Sequence, residues 1–200
     1  KQASARAAYW KRTTRAKPSD TLVARKEALS GAGNRFEKPV LSVGDNWTYE
    51  SEGSQEVRTY RVKEIRADKY FFELETVDET GAKKTSTKVF DKDLNDEDAM
   101  YPVYQFPFAP GDSWVRIFDY KPTGAGSFRG RAVCETKSVK SVSVAAGNFQ
   151  DCVLVSCHAE TFANIRTRFV SSSHYCHGAG RATFTDDGRL FKLTRYQIMR

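Results

Sequence analysis

Several sequence features that mark common functional classes are missing from this chain of 200 residues. No run approaches the ~18 consecutive apolar residues that a membrane-spanning helix requires. There is no Gly-x-Gly-x-x-Gly phosphate loop and no Gly-x-Ser-x-Gly turn around a nucleophilic serine. The four cysteines form no Cys-x-x-Cys pair of the kind found in zinc ribbons and thiol oxidoreductases. The sequence therefore gives no basis for predicting a helical membrane segment, dinucleotide binding, serine-hydrolase chemistry or a zinc ribbon.

Positive charge is unevenly distributed along the chain. Residues 1–38 hold ten Lys or Arg against three acidic residues, which accounts for the whole formal net charge of +7. Residues 39–200 hold 22 basic and 22 acidic residues. Because an excess of positive charge favours anionic partners, we expect an anionic partner for the basic segment. The balanced remainder gives no electrostatic sign of nucleic-acid binding.

Residues 1–38 are predicted to form a short helical or disordered N-terminal arm, or a linker. Residues 3–16 and 21–29 are compatible with short helices, since Ala and Arg favour helix and Pro18 ends the first segment. The few apolar residues here favour a partly ordered linker. The alternative is a docking segment for a partner or an upstream domain. Residues 39–200 are expected to fold without it.

From residue 41 onward the sequence changes to short alternating segments separated by turn residues. Residues 70–76 alternate with a period of two, which is typical of a strand with one wetter face. Asp186-Asp-Gly-Arg189 predicts a two-residue hairpin turn, because Asp and Gly tolerate positive φ. The predicted strands cover residues 45–52, 56–66, 69–77, 84–90, 113–120, 127–144, 149–161, 165–175, 181–185 and 190–198. Residues 39–200 are therefore expected to be mostly β: an antiparallel barrel, half-barrel or sandwich.

Two similar motifs occur 67 residues apart, Gly44-Asp-x-Trp47 and Gly111-Asp-x-Trp114. Each combines a glycine turn, an aspartate suited to bonding its own backbone, and a tryptophan that enters a strand. We interpret this echo as a structural device, with both tryptophans buried near the starts of their strands. Two copies do not amount to a repeat array.

Together with the hairpin Val142-Ser-Val-Ala-Ala-Gly-Asn-Phe149, these motifs resemble exported bacterial β-domains. Such domains belong to uncharacterised families of periplasmic proteins and lipoproteins. The resemblance covers about residues 39–200. It implies an antiparallel β fold and a periplasmic or cell-envelope location. It implies no reaction, because these families have no agreed catalytic residues.

The segment Met100–Pro110 is apolar and aromatic, and its three prolines exclude a central strand. Its rings are suited to lining an apolar pocket or a partner groove. The alternative is a plug that fills the open end of a barrel. With the two motif tryptophans, the ligand-binding candidates are Trp47, Tyr101, Tyr104, Phe106, Phe108 and Trp114.

All three histidines and two of the four cysteines lie between residues 157 and 177. Thiolate and imidazole are the ligands that zinc and copper prefer. Adjacent strand residues point to opposite faces, so a site using both Cys157 and His158 would need a bulge or loop. Disulfides with surface histidines are the alternative. The candidate metal or thiol-enzyme residues are Cys157, His158, His174, Cys176 and His177.

An even number of cysteines in a β-rich chain favours an oxidising compartment. If Ala145–Asn148 is the loop between two antiparallel strands, Cys134 faces Ala159 and its diagonal neighbour is Cys157. A loop at about 161–164 then places Cys152 opposite a residue between positions 173 and 176. Facing residues lie within disulfide range. The register therefore permits one bridge on each face of the shared strand: Cys134–Cys157 and Cys152–Cys176.

Two classes of function follow from these patterns. The first is a non-enzymatic binding or envelope-assembly module of the bacterial periplasm, with a protein partner or an apolar small ligand on a concave β surface and no cofactor. The second is a metal- or thiol-dependent enzyme that would use the Cys/His residues and hold zinc or copper. We expect the first, because no complete set of catalytic residues is recognisable in the sequence.

Overall fold

The computed structural model describes residues 35–99, 103–120, 127–162 and 168–199. In these ranges the chain forms β1 (Asn46–Ser51), β2 (Val57–Arg66), β3 (Lys69–Val77), β4 (Lys83–Phe90), β5 (Ser113–Tyr120), β6 (Phe128–Val144), β7 (Gly147–Thr161), β8 (Arg168–Cys176), β9 (Gly180–Asp186) and β10 (Arg189–Gln197). No helix among the described residues has the length and apolar character needed to cross a bilayer. The helices predicted at 3–16 and 21–29 lie outside the described residues.

The strands form one antiparallel sheet in the order β4-β3-β2-β1-β10-β9-β8-β7-β6-β5. Strands β1 and β10 pair inside the sheet, and β4 and β5 are the two edges of a sheet that does not close. The prediction of a mostly β, antiparallel fold is confirmed, and the open sheet fits the half-barrel or sandwich alternative.

The sheet curves around one side, which we call the inner face. Phe90 of β4 and Tyr175 of β8 line the same cavity of about 80 Å³. In a flat sheet these strands would stand six spacings, or roughly 29 Å, apart. Pairing shifts by one residue at Lys63, Ala182 and Thr194, in β2, β9 and β10. Such bulges bend a strand and increase its twist, which favours this curvature.

Two tight turns set the register of the long hairpins. Asp187 and Gly188 have φ of 48° and 75° and form the two-residue turn predicted between β9 and β10. The loop predicted at Ala145–Asn148 is wrong. Val144 pairs directly with Gly147, so only two residues connect β6 to β7. Gly147 has a φ of 144°, a conformation open to glycine, which lets pairing begin immediately after the turn.

The two Gly-Asp-x-Trp motifs build the same turn. Both glycines have positive φ, 99° and 90°. In each turn the aspartate Oδ2 accepts the amide of the residue three positions earlier, at 2.8 Å. One residue of the neighbouring strand accepts the glycine amide and donates its own amide to the aspartate carbonyl. The corresponding residues are Ser42, Gly44, Asp45 and Val62 in the first turn, and Ala109, Gly111, Asp112 and Thr136 in the second.

Segment 103–112 leads into β5 and packs on the inner face of β5–β8. Phe108 forms a bridge with Phe36, and their rings stack with centroids 5.6 Å apart. Trp114 and Tyr175 also contact the Phe108 ring. Phe36 is only 2% exposed, so one core side chain lies within the predicted arm. This half of the inner face is filled by aromatic side chains.

Two disulfides tie β7 to both of its neighbours. Cys134 bonds to Cys157, and Cys152 bonds to Cys176. These are the two pairs that the hairpin register permits. Cys134 faces Cys157 directly rather than Ala159, because the turn before β7 is two residues shorter than expected. The first bridge lies among the inner-face residues, and the second packs with Val142 and Ala182 on the outer face.

Candidate functional site

The inner face contains an aromatic cavity of about 80 Å³ between the two halves of the sheet, which we call the inner cavity. Its walls come from both halves: β1–β4 on one side, and β8 and β9 on the other. The main aromatic side chains of its walls are Trp47, Tyr49, Tyr60, Phe72, Phe90 and Tyr175. Such rings offer large apolar surfaces, so the cavity is suited to an apolar group.

A larger space of about 600 Å³, the outer cavity, adjoins the inner cavity. The two share Tyr60, Phe90, Tyr104 and Arg181 as wall residues. The outer cavity is mixed in character, because its walls include charged residues of β4 and β9 as well as apolar ones. Arg181 and Tyr104 therefore stand at the boundary between an apolar space and a wetter one.

Arg181 is surrounded by aromatic rings. Its guanidinium carbon lies 3.9 Å from the ring centroid of Phe184 and 5.6 and 5.7 Å from those of Tyr49 and Tyr60. Among the described residues no carboxylate lies within ion-pair distance of Arg181. A guanidinium stays charged at any working pH. Arg181 is therefore a cation that rests on aromatic faces and has no anion beside it.

A bulge in β9 brings Arg181 to the inner face. The pairing of β8 with β9 shifts by one residue at Ala182. Ala182 points to the outer face, where it packs against Cys176. Arg181 and Phe184 flank the bulge and contact each other on the inner face, although residues three apart in a regular strand point to opposite sides. Redirecting a side chain in this way is a recurring role of bulges near functional sites.

Tyr49, Tyr104 and Tyr175, which line the inner cavity, are neutral. Burial raises the pKa of Tyr49 to about 12, although the nearby Arg181 guanidinium acts in the opposite direction. Burial likewise raises the pKa of Tyr104 and Tyr175. The Tyr49 hydroxyl donates to the backbone carbonyl of Arg181 at 2.9 Å. The positive charge of Arg181 is thus not offset by a tyrosinate.

Tyr104 is held in place by the buried side chain of Asn95. The Asn95 Oδ1 accepts the amides of Val103 and Tyr104 at 2.7 and 2.6 Å, and its Nδ2 donates to the Tyr104 carbonyl at 3.0 Å. The Tyr104 hydroxyl lies 2.8 Å from the Ser173 Oγ. These bonds fix one wall of the cavity at both ends of the tyrosine.

Two of the six predicted ligand-binding residues, Trp47 and Tyr104, line the inner cavity. Phe106 and Phe108 stack behind Tyr104, and Trp114 is 9% exposed within the same filled cluster, as its predicted burial requires. The predicted burial of Trp47 is wrong, because one side of this half-buried ring faces the cavity. Tyr101 lies outside the described residues.

The predicted metal-site residues do not come together. Cys157 and Cys176 are in separate disulfides, so neither offers a thiolate. His158 is exposed, the Nδ1 of His174 lies 2.8 Å from the Thr183 hydroxyl, and His177 stacks on Phe36. Within the described ranges no group of three His, Cys, Asp or Glu side chains is placed to hold a metal ion.

Sequence reasoning missed Arg181. In a regular strand the alternation would place Arg181 opposite Phe184, and the Ala182 bulge has no clear mark in the sequence. Comparisons with protein-family models, curated proteins and solved structures give no match for this chain. The case for a function therefore rests on the cavity and its side chains.

Proposed function

We propose that this protein is a non-enzymatic binding module of the bacterial periplasm or cell envelope, and that its inner face takes up a small ligand with an apolar part. The observation that carries the proposal is the inner cavity, a space of about 80 Å³ walled by aromatic rings. Ligand sites are typically concave, largely apolar and supplied with a few polar groups. Arg181 and the Tyr104 hydroxyl supply such groups here.

The contrast between the two halves of the inner face supports a binding role. Phe36 and Phe108 fill the surface of β5–β8. Between β1–β4 and β9 comparable aromatic side chains surround a space instead of filling it. Protein interiors are normally packed with few voids larger than a water molecule. An unfilled aromatic space loses dispersion contacts, and a ligand would restore them.

The disulfides support the location and weigh against thiol chemistry. Bonds of this kind persist in oxidising compartments, among them the bacterial periplasm. With Cys157 bonded to Cys134 and Cys176 bonded to Cys152, the cysteines of the predicted cluster are not available as nucleophiles. The resemblance to exported β-domains points to the same location and is part of the proposal.

A neutral probe, 1-octanol, tests the proposal without presupposing any charge on the ligand. The indole group of Trp47 lines the inner cavity, and its Nε1 donates to the Ala179 carbonyl at 3.0 Å. Trp114 is buried in the filled cluster and serves as an internal control. Titration followed by ¹⁵N NMR should shift the Trp47 indole resonance in a saturable way and leave that of Trp114 almost unchanged.

A cavity-filling variant provides the matched control. Leu41 lies in the cavity wall beside Trp47, so Leu41→Phe should occupy part of the space and weaken octanol binding. If saturating octanol moves neither indole resonance of the wild-type protein, the inner cavity is not a binding site. Equal binding by the wild type and Leu41→Phe would place the octanol elsewhere.

A further inference from the structure

Arg181 identifies the chemical class of the ligand. Resting on the proposed function, we infer that the ligand is a monocarboxylate with an apolar group. The carboxylate pairs with Arg181, and the apolar group enters the inner cavity. The binding module would then be a carrier or receptor of amphipathic acids rather than of neutral apolar compounds.

The surroundings of Arg181 favour a negatively charged ligand. An ionised group held against apolar surfaces loses free energy of hydration unless a partner compensates it. The rings of Tyr49, Tyr60 and Phe184 supply cation–π attraction, and the hydroxyls of Tyr49 and Tyr104 are hydrogen-bond partners of the guanidinium, but neither hydroxyl carries a negative charge. An anion from outside the protein would fill that role. A side chain needed only for packing would be served equally well by a methionine or leucine.

The neighbouring acids Glu56 and Asp186 are already paired with other arginines. The Nε and Nη1 of Arg58 lie 2.6 Å from carboxylate oxygens of Glu56 and Asp186, respectively. The Nη1 of Arg189 lies 2.5 Å from the other carboxylate oxygen of Glu56. These ion pairs sit on the β2 and β9 side of the outer cavity, close to Arg181 in the fold. Carboxylates thus balance the neighbouring arginines and leave Arg181 without one. The anion expected at Arg181 is therefore one that the chain itself does not provide.

The charge on the walls of the inner cavity indicates which type of anion fits. Arg181 is the single charged side chain among the residues that line the inner cavity. One guanidinium matches one negative charge, and its planar donors match a carboxylate in a bidentate pair. A phosphate monoester carries ~1.5 to 2 negative charges near neutral pH, and the walls of the inner cavity offer it no second cation. A carboxylate is therefore the better match.

The volume of the inner cavity limits the size of the apolar group. The inner cavity, at about 80 Å³, is smaller than the ~150 Å³ engineered cavity known to hold benzene. It accommodates a short apolar group, and any longer part of the ligand must pass Tyr104 and Arg181 into the outer cavity of about 600 Å³. The combined shape suits a carboxylate at the junction with a short or medium chain attached.

Three eight-carbon probes with different head groups test the inference by calorimetry and ¹⁵N NMR: octanoate, 1-octanol and octyl phosphate. We expect octanoate to bind the wild type at least ~10-fold more tightly than octanol, which corresponds to ~1.4 kcal/mol. Octanoate should also bind more tightly than octyl phosphate. Arg181→Gln should remove the preference for octanoate over octanol, and a well-dispersed ¹⁵N NMR spectrum of the variant should show that it is folded.

The control is Arg61→Gln, which removes the same charge from an exposed side chain on β2 and should leave all three affinities unchanged. Equal affinity of the wild type for octanoate and octanol would overturn the inference and leave the proposed function intact. The same holds if Arg181→Gln keeps the octanoate preference. Tighter binding of octyl phosphate would replace the carboxylate by a phosphate. No binding of any probe to the wild type would overturn both the inference and the proposed function.

Discussion

The guanidinium carbon of Arg181 lies 3.9 Å from the centroid of the Phe184 ring, although the two residues are three positions apart in one strand. The bulge at Ala182 makes this contact possible by turning both side chains to the inner face. Without the extra residue, the pleat would direct Arg181 to the opposite side from Phe184. One residue of irregular pairing thus decides whether the cavity contains a charge.

Replacing Arg181 by methionine should leave the free energy of unfolding unchanged or raise it. Methionine keeps most of the apolar contact area and removes a charge whose dehydration is not repaid by an anion. Chemical denaturation of the wild type and Arg181→Met measures the difference. A loss of ~2 kcal/mol or more would mean that the aromatic contacts make Arg181 a structural residue, since such contacts contribute about 0.5–2 kcal/mol.

The two Gly-Asp-x-Trp turns should differ in their sensitivity to loss of the aspartate. Asp45 is 0% exposed and accepts the amides of Ser42 and Met199, at 2.8 and 2.6 Å. Asp112 is half-buried and accepts the amide of Ala109. Leaving a buried amide without its acceptor lowers the free energy of unfolding by about 1–3 kcal/mol. Asp45→Ala should therefore lower the urea midpoint more than Asp112→Ala. An equal or reversed order would contradict this account of the turns.

Removal of residues 1–34 should leave the melting temperature within a few degrees, whereas removal of residues 1–38 should lower it strongly. The longer deletion takes away Phe36, whose backbone exchanges two hydrogen bonds with Phe108 and whose ring is buried. Emptying a core phenylalanine site usually lowers the stability by about 3–5 kcal/mol.

The full-length variant Phe36→Ala is the matched control for these truncations. It should reproduce most of the loss seen with the longer deletion. If both truncated proteins melt at the temperature of the full chain, Phe36 does not contribute to the core in the way its burial indicates.

Protein prepared without reductant should show no reactive thiols in denaturant and four after reduction. The bridges Cys134–Cys157 and Cys152–Cys176 span 23 and 24 residues. Because loop-closure entropy depends on loop length, each double Cys→Ser variant should lose about 3 kcal/mol. Four reactive thiols before reduction would show that the disulfides are absent, and the Cys/His metal site would again be an alternative.

Because of His174, stability should fall as the pH is lowered through the ordinary histidine pKa of ~6.5. Burial lowers the pKa of His174 below its ordinary value. The unfolded chain therefore takes up a proton near the ordinary pKa of ~6.5, while the folded protein resists protonation until a lower pH. The contribution of His174 to the free energy of unfolding is complete above its pKa in the unfolded chain, and it is lost as the pH falls towards its lower pKa in the folded protein.

Urea midpoints across this pH range measure the effect. His174→Gln should flatten the dependence relative to the wild type. An unchanged slope in His174→Gln would assign the pH dependence to other groups.

Features governed by local chemistry could be predicted from the sequence. The Asp187-Gly188 turn and the alternation of residues 70–76 follow from backbone preferences and from the pleat. The two Gly-Asp-x-Trp turns follow from aspartate side chains that bond nearby amides. These interactions span only a few residues, so they survive in any fold that contains the strands.

Features that depend on distant pairing could not be predicted. Phe36 belongs to the core only because it meets Phe108, 72 positions later. Trp47 is half-buried because the curved sheet leaves a space beside it, and Arg181 faces that space because of a bulge. The disulfide pairs could be predicted despite an error of two residues in the strand register, because a shift by two keeps every side chain on the same face.

The placement of the two disulfides makes the halves of the sheet mechanically unequal. β6, β7 and β8 are joined covalently into a fixed frame, and that frame carries Tyr175. The opposite wall of the inner cavity belongs to β1–β4, which non-covalent contacts alone hold in place. Widening the cavity would therefore occur by outward displacement of β1–β4 against a stationary β6–β8. The rate of ligand exchange would then depend on the hydrogen-bonded strands, and the shape of the occupied site on the cross-linked ones.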